Sequence, residues 1–145
     1  MKSRFIFPLS INLFLVIAVS QFTSCVQSKK VHFNTSTVVP GAEGTVKAKK
    51  DKNGNYYIGI TIENLAKPNQ LTPSKKTYVA WIETQEKGVK NIGQINSSSS
   101  FLSKTKKASI STVSPYKPIR IFISAEDDGG IEEPGTMIVL TTDSF

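Results

Sequence analysis

Beyond residue 40, apolar side chains recur at every second position, which limits the fold to one made of strands. Residues 45–49 alternate in this way, and Ile58, Ile60 and Ile62 place one apolar face on the next segment. A period of two is typical of a strand with one buried face, whereas an amphipathic helix requires a period of 3.6. Residues 41–145 therefore favour strands throughout, and no segment among them indicates a helix.

Residues 52–55 separate the first two of these segments and predict a tight hairpin turn. Asn53 and Gly54 are the residue types that best tolerate positive φ, which both central residues of a type I′ turn require. The sequence therefore predicts a β-hairpin with a type I′ turn at Asn53 and Gly54.

Residues 77–82 are mostly apolar at consecutive positions, which indicates a central strand covered on both faces. Trp81, the only tryptophan, is the expected centre of the core. A turn at residues 86–88, followed by Val89, Ile92 and Ile95, predicts a second hairpin.

Further strands are expected at residues 108–113, 119–123 and 137–140, and Phe101 and Leu102 begin another after a flexible serine-rich loop at 97–100. Seven to eight short strands separated by turns favour an all-β, immunoglobulin-like antiparallel sandwich over a barrel or a parallel sheet. The roughly 120 residues that follow residue 24 match the usual size of one domain.

The first 24 residues have the three-part pattern of an export signal. Basic Lys2 and Arg4 precede an apolar run at residues 5–19, and small and polar residues follow it. As a helix this run would extend about 22 Å, which is short of the roughly 30 Å hydrocarbon core of a bilayer. A cleaved signal peptide is therefore expected rather than a permanent membrane span.

The only cysteine, Cys25, directly follows Phe22, Thr23 and Ser24. These four residues resemble the lipobox of bacterial lipoproteins, with Phe where Leu is usual. The resemblance implies that a signal peptidase recognises Phe22, Thr23 and Ser24, and that the thiol of Cys25 is acylated. Secretion with an unmodified thiol and retention of the leader as an anchor remain alternatives. A free thiol in an oxidising compartment is usually avoided, which favours lipidation.

The expected organisation is a lipoprotein signal peptide at 1–24, a lipidated N terminus with a tether or first strand at 25–40, and the sandwich at 41–145. Acylation of Cys25 makes membrane lipid the first expected partner and places the domain in the bacterial cell envelope. Val26 stands where many lipoproteins of the inner membrane have Asp, so the resemblance to lipoproteins implies an outer-membrane position facing the periplasm.

Three segments in order resemble the extracytoplasmic domain of anti-sigma-K factors: residues 78–82 with a Tyr-x-x-Trp strand, residues 91–95 with a Gly strand, and residues 121–126 followed by a Gly/Pro loop. The resemblance implies a sandwich. It implies no role in transcription, because the sigma-binding helices of that family precede its membrane span, and only residues 1–5 stand before the expected membrane element here. No site residue is carried over from it.

The densest acidic segment, residues 126–133, offers oxygen ligands to a hard cation such as calcium. Asp127, Asp128 and Glu132 are the candidate ligands, although their spacing matches no established calcium loop and also suits a solvated turn. A hydrolytic reaction would need a carboxylate pair at a defined separation, or a base beside a serine. The only histidine, His32, lies in a predicted strand or tether without a motif around it. We therefore expect a protein that is not an enzyme and has no cofactor.

Removal of Lys2 and Arg4 would leave 16 basic against 11 acidic residues, a modest excess of +5. The lysines are scattered without the interleaved aromatics or arginines that nucleic-acid binding requires, so nucleic acid is not expected as a partner. They include Lys29, Lys30, Lys47, Lys49, Lys50, Lys75, Lys76, Lys104, Lys106 and Lys107.

Tyr56, Tyr57 and Tyr116 form either a glycan or peptide platform or ordinary cross-strand pairs. The expected function is a non-enzymatic binding or scaffolding module for an envelope protein, peptide or glycan. The alternative is a small calcium-dependent or hydrolytic envelope enzyme that uses the 126–133 segment.

Overall fold

The computed structural model describes residues 28–98 and 107–145, and within them it consists of strands and one short 3₁₀ turn at Pro68–Gln70. The strands are β1 (Ser28–His32), β2 (Glu43–Lys50), β3 (Tyr56–Glu63), β4 (Thr77–Thr84), β5 (Gly88–Gln94), β6 (Asn96–Ser98), β7 (Lys107–Ser114), β8 (Pro118–Glu126) and β9 (Ile138–Thr141). Cys25 and the three residues before it lie outside the described residues.

The strands form two antiparallel sheets, one in the order β1-β2-β3-β7-β6 and the other in the order β5-β4-β8-β9. If β2 is taken as strand A, these orders read A-B-E-D and C′-C-F-G, which is the arrangement of an immunoglobulin-type sandwich. The expected all-β, immunoglobulin-like fold is confirmed.

The two sheets bury their facing side chains in one core, as the alternation along the strands predicts. Ile58, Ile60 and Ile62 of β3 meet Ile82 of β4 and Ile121 of β8, each no more than 1% exposed. A fully buried isoleucine contributes roughly 1.5–3 kcal/mol relative to an exposed one. This core holds the domain together, since the chain has a single cysteine and hence no internal disulfide.

Trp81 is fully buried, but not in the core between the sheets. With Val79 and Phe122 it forms a separate cluster, against which Val89 and Ile131 pack. Residues of β4 alternate between faces, so Ala80 and Ile82 face the other sheet while Val79 and Trp81 face outward. The expectation that β4 is covered on both faces is confirmed. The expectation that Trp81 is the centre of the intersheet core is wrong.

The hairpin between β2 and β3 forms as expected, but its turn is not of type I′. Gly54 has a φ of 87° and Asn53 is not among the residues with positive φ. The Asp51 carboxylate accepts hydrogen bonds from the N–H groups of Asn53 and Asn55, both at 2.8 Å, and the Asp51 carbonyl accepts one from Gly54 N–H. These bonds favour a longer loop with one left-handed residue. Desolvation acts to raise the pKa of Asp51, yet the hydrogen bonds from Asn55, Asn53 and Gly54 leave it lowered.

The segment expected to be a tether or first strand is a strand at Ser28–His32, and part of the segment expected to be a flexible loop is also a strand. Ser28–His32 pairs with β2, and the next residues continue to β9 through a Phe33–Thr142 bridge, so this segment joins the edges of both sheets. Residues 96–98 pair with β7 as β6, although a flexible loop is expected at 97–100. Phe101 and Leu102 lie outside the described residues.

Candidate interaction surface

One end of the sandwich collects lysines that are scattered in the sequence. Ser28 at the start of β1 lies opposite Lys49 on β2, and Lys30 lies opposite Lys47. Lys50 and Lys52 follow at the β2–β3 hairpin. Lys117 lies in the β7–β8 turn at the same end, because Ser114, the last residue of β7, pairs with Tyr56 at the β2–β3 hairpin. We call this group the basic end: Lys29, Lys30, Lys47, Lys49, Lys50, Lys52 and Lys117.

The lysines on the outer face of this end are not neutralised by nearby carboxylates. Like charges directly opposite each other on neighbouring strands are destabilising, and Lys30 and Lys47 stand in that relation. The salt bridges found among residues 28–98 and 107–145 join Lys75 to Asp127, Lys107 to Glu63 and Arg120 to Glu83. None of them involves a lysine of the basic end.

The carboxylates at this end have other hydrogen-bond partners or stand apart from the lysine face. Asp51 is engaged in its own turn, and Asp143 accepts a hydrogen bond from Asn34 Nδ2 at 2.9 Å. Glu83 binds Arg120, and Glu86 lies in the β4–β5 turn on the other sheet. The outer face of β1 and β2 therefore carries a local excess of positive charge.

Aromatic rings accompany the lysines. Tyr57 is 46% exposed and lies opposite Lys49 on one side and Val113, 59% exposed, on the other. Its ring leans over Gly59, since a Cβ built at that glycine would lie 3.5 Å from Tyr57 Cε1. Tyr57 is thus both a cross-strand neighbour and an exposed ring on the outer face of the sheet.

Other rings at this end contact ammonium groups. Lys50 Nζ lies 5.8 Å from the centre of the Tyr56 ring, and Lys29 Nζ lies 5.6 Å from that of Phe145. These are cation–π distances. Tyr116, in the β7–β8 turn, is half-buried, and its N–H donates to Ser114 Oγ at 3.1 Å.

The acidic segment is used to fold its own loop. Glu126 is 5% exposed and its Oε1 accepts a hydrogen bond from Gly135 N–H at 2.8 Å. Asp127 pairs with Lys75 at 2.7 Å, and Asp128 Oδ1 accepts from Gly130 N–H at 2.9 Å. In the part of the chain that the structure describes, no three His, Cys, Asp or Glu residues are grouped to hold a metal ion, so Asp127, Asp128 and Glu132 are not brought together.

The loop at residues 127–137 covers the outward face of β4. Asn91 Nδ2 on β5 donates to the carbonyls of Gly129 at 3.0 Å and Ile131 at 2.8 Å, and Ile131 packs against the Trp81 cluster. Trp81 Nε1 donates to Ser124 Oγ at 2.7 Å. This role of the loop was not predicted from the sequence. The signal for it was an apolar Ile131 inside an otherwise acidic and glycine-rich segment.

Glu83 and Glu126, two acidic residues on neighbouring strands, are also far apart. Glu126 lies opposite Thr77 and Arg120 lies opposite Glu83, so Glu83 and Glu126 are six residues apart along the β4–β8 pair. At 3.3–3.4 Å per residue this is about 20 Å, beyond the separation of a glycosidase carboxylate pair. His32 is an exposed residue of β1, opposite Thr45.

Tyr78 is an internal hydrogen-bond donor rather than a surface acid. Its hydroxyl donates to the carbonyl of Ala66 at 2.9 Å, and burial raises its pKa to about 12. It therefore stays protonated over the physiological range and stabilises the segment that joins β3 to β4.

Comparison of the chain with protein-family models, with curated proteins and with solved structures finds no match. A search of residues 28–98 and 107–145 also finds no helix long and apolar enough to cross a membrane. The arrangement of the described residues is therefore the basis for a functional proposal.

Proposed function

We propose that the chain is a lipoprotein of the bacterial cell envelope, anchored through acylated Cys25, whose sandwich is a non-enzymatic binding or scaffolding module. The observation that carries the proposal is the position of β1, which begins at Ser28, three residues after Cys25. Three residues span at most about 11 Å, so acyl chains on Cys25 would hold the domain directly beside a bilayer.

The proposed anchor requires more than one acyl chain. Each buried methylene contributes about 0.8 kcal/mol, and a single chain gives only marginal binding whereas two or more anchor stably. Phe22, Thr23 and Ser24 would direct cleavage before the acylated cysteine. Outer-membrane sorting, favoured by Val26, remains a prediction. A relation to the extracytoplasmic domains of anti-sigma-K factors, implied by the resemblance, also remains a prediction.

A binding role is supported by the contrast between carboxylates that bond within the domain and lysines that are exposed on its surface. The carboxylates of Glu126 and Asp128 bond to the loop backbone, that of Asp127 bonds to Lys75, and Glu83 bonds to Arg120. No observation favours the alternative of a calcium-dependent or hydrolytic enzyme. The exposed lysines and Tyr57 are available to contact an envelope protein, peptide or glycan.

The test is the intact mass of the protein extracted from membranes. We expect the native chain to begin at Cys25 and to carry added diacylglyceryl mass. Cys25→Ala should remain unacylated and uncleaved, whereas Ser28→Ala, just beyond the motif, should process normally. A native polypeptide that is unacylated and freely soluble would contradict the proposal.

A further inference from the structure

We infer that the basic end of the sandwich is a docking surface for anionic phospholipid headgroups, which orients the domain with the start of β1 toward the bilayer. The inference rests on the proposed anchoring at Cys25 and adds to it a direct contact between protein and lipid. The partner that this docking surface binds is the same membrane in which the acyl chains of Cys25 are inserted.

The short segment between Cys25 and β1 determines which end of the domain lies nearest to the bilayer. Cys25 is at most about 11 Å from Ser28, and Ser28 lies directly opposite Lys49. Lys50 and Lys52 continue from Lys49 into the β2–β3 turn. An acyl chain on Cys25 therefore brings these ammonium groups close to the headgroup region.

The distribution of charge fits an anionic surface in one orientation. The basic end presents lysines without salt bridges among the described residues. The opposite end mixes both charges, since Glu43, Glu63 and Asp127 lie there with Lys67, Lys75, Lys76 and Lys107, and two of these lysines are paired with Asp127 and Glu63. Juxtamembrane lysine clusters are attracted to anionic headgroups within a Debye length, and carboxylates are repelled. The domain is thus attracted at the end that the anchor approaches.

Protection of a sheet edge does not account for these lysines. Edge strands often carry lysines that prevent pairing with other chains, which explains Lys29 and Lys30 on β1. Lys47 and Lys49 lie on β2, which is paired on both sides, by β1 and by β3. Their repulsion with Lys30 is a cost to folding that anionic headgroups would relieve.

The exposed ring beside the lysines also suits a headgroup layer. Tyr57 and Val113 are neighbours on adjacent strands and expose apolar surface next to Lys49. Tyrosine is enriched at membrane–water interfaces, where its ring meets an apolar layer and its hydroxyl meets water. The combination distinguishes this face from the acidic loop.

The test is lysine footprinting of the acylated full chain on vesicles. The protein is inserted into preformed vesicles of phosphatidylcholine, or of phosphatidylcholine with about 30 mol % phosphatidylglycerol, and acetylated briefly. Mass spectrometry gives the rate at each lysine. We expect Lys47, Lys49 and Lys52 to react at least about threefold more slowly on the anionic vesicles, while Lys67 and Lys76 react equally on both. About 0.5 M salt should remove the difference.

Charge-reversal variants provide the matched control. Lys47→Glu with Lys49→Glu should abolish the protection of Lys52, whereas Lys67→Glu with Lys76→Glu, the same change in net charge at the other end, should preserve it. Both pairs alter exposed side chains, and circular dichroism checks that each variant keeps its β structure.

The outcomes separate the docking surface from the anchor. Equal acetylation on both vesicle types, with acyl mass on Cys25, would overturn the docking surface and leave the lipoprotein standing. A chain without acyl mass would overturn the anchor and the inference with it. If soluble polygalacturonate protects Lys47 and Lys49 and the anionic vesicles do not, the surface belongs to an acidic glycan and the lipid assignment is wrong.

Discussion

The N–H group of the buried Trp81 indole has the hydroxyl of Ser124 as its hydrogen-bond acceptor. A buried N–H needs an acceptor, and Ser124, itself fully buried, supplies it at 2.7 Å. Ser124→Ala would leave the indole N–H unsatisfied, so we expect a loss of about 1–3 kcal/mol in the free energy of unfolding. Urea unfolding in detergent, followed by the fluorescence of the single tryptophan, measures this loss. Ser111→Ala, on an exposed face of β7, should change stability by less than about 0.5 kcal/mol, and equal effects would contradict the assigned role.

The hydroxyl of Tyr78 makes stability depend on alkaline pH. Its pKa is about 12 in the folded protein, against about 10 in an unfolded chain. The folded state therefore holds a proton that the unfolded state loses, and the resulting stabilisation is complete below pH about 10 and lost as the pH rises through about 12. Urea unfolding at several pH values between these limits should show a shallower decline for Tyr78→Phe than for the native protein. Parallel declines would show that another group is responsible.

The β2–β3 turn requires glycine at one position. Gly54 has a φ of 87° with open space around it, so only backbone strain opposes a side chain there. Gly54→Ala should destabilise the domain by about 1–2 kcal/mol, the cost of a left-handed conformation. Gly41 also has open space but no positive φ, and Gly41→Ala should be neutral or slightly stabilising. Thermal melts of the two variants compare them, and equal shifts would count against the turn geometry.

The loop at residues 127–137 packs over Trp81, and hydrogen bonds from the Asn91 side chain fix it there. Asn91→Ala removes two hydrogen bonds to the loop carbonyls, so we expect Trp81 fluorescence to shift to longer wavelength and acrylamide quenching to increase. Asn69→Ala, at an exposed position in the 3₁₀ turn, should leave both signals unchanged. Unaltered quenching in Asn91→Ala would mean that the loop stays in place without these bonds.

Alternation in the sequence is enough to predict most strands, and its failures have identifiable causes. The period of two locates β3, and the consecutive apolar residues of β4 show that both of its faces are covered. Neither pattern says which face of β4 meets the other sheet, so the prediction for Trp81 was wrong. The turn type was missed because the decisive carboxylate, Asp51, lies before the Asn-Gly pair. Residues 96–98 form a strand because backbone pairing with β7 places them there, despite their serine-rich composition.

The basic end could not be predicted from the sequence because it depends on how β1 pairs with β2. Lys30 and Lys47 are separated by a long loop in the chain and become neighbours only when β1 pairs with β2. The predicted two-residue turn at Asn53 and Gly54 would place Tyr57 opposite Lys50, and only the longer loop that forms places it opposite Lys49. The contribution of β1 required knowing that the segment after Cys25 is a strand.

At the scale of the whole molecule, the proposed acyl anchor and the attraction of the lysines both bring the basic end toward the bilayer. A longer tether between Cys25 and β1 would separate these two effects. About 20 Gly and Ser residues inserted between Gln27 and Ser28 would have an average length of about 25 Å. On phosphatidylcholine bilayers, where only the tether sets the distance, neutron reflectometry should then show a water layer of similar thickness between headgroups and protein. On bilayers with phosphatidylglycerol the attraction of the lysines should keep that layer closed until salt is added. A gap on both bilayers would mean that the short tether alone keeps the domain at the membrane.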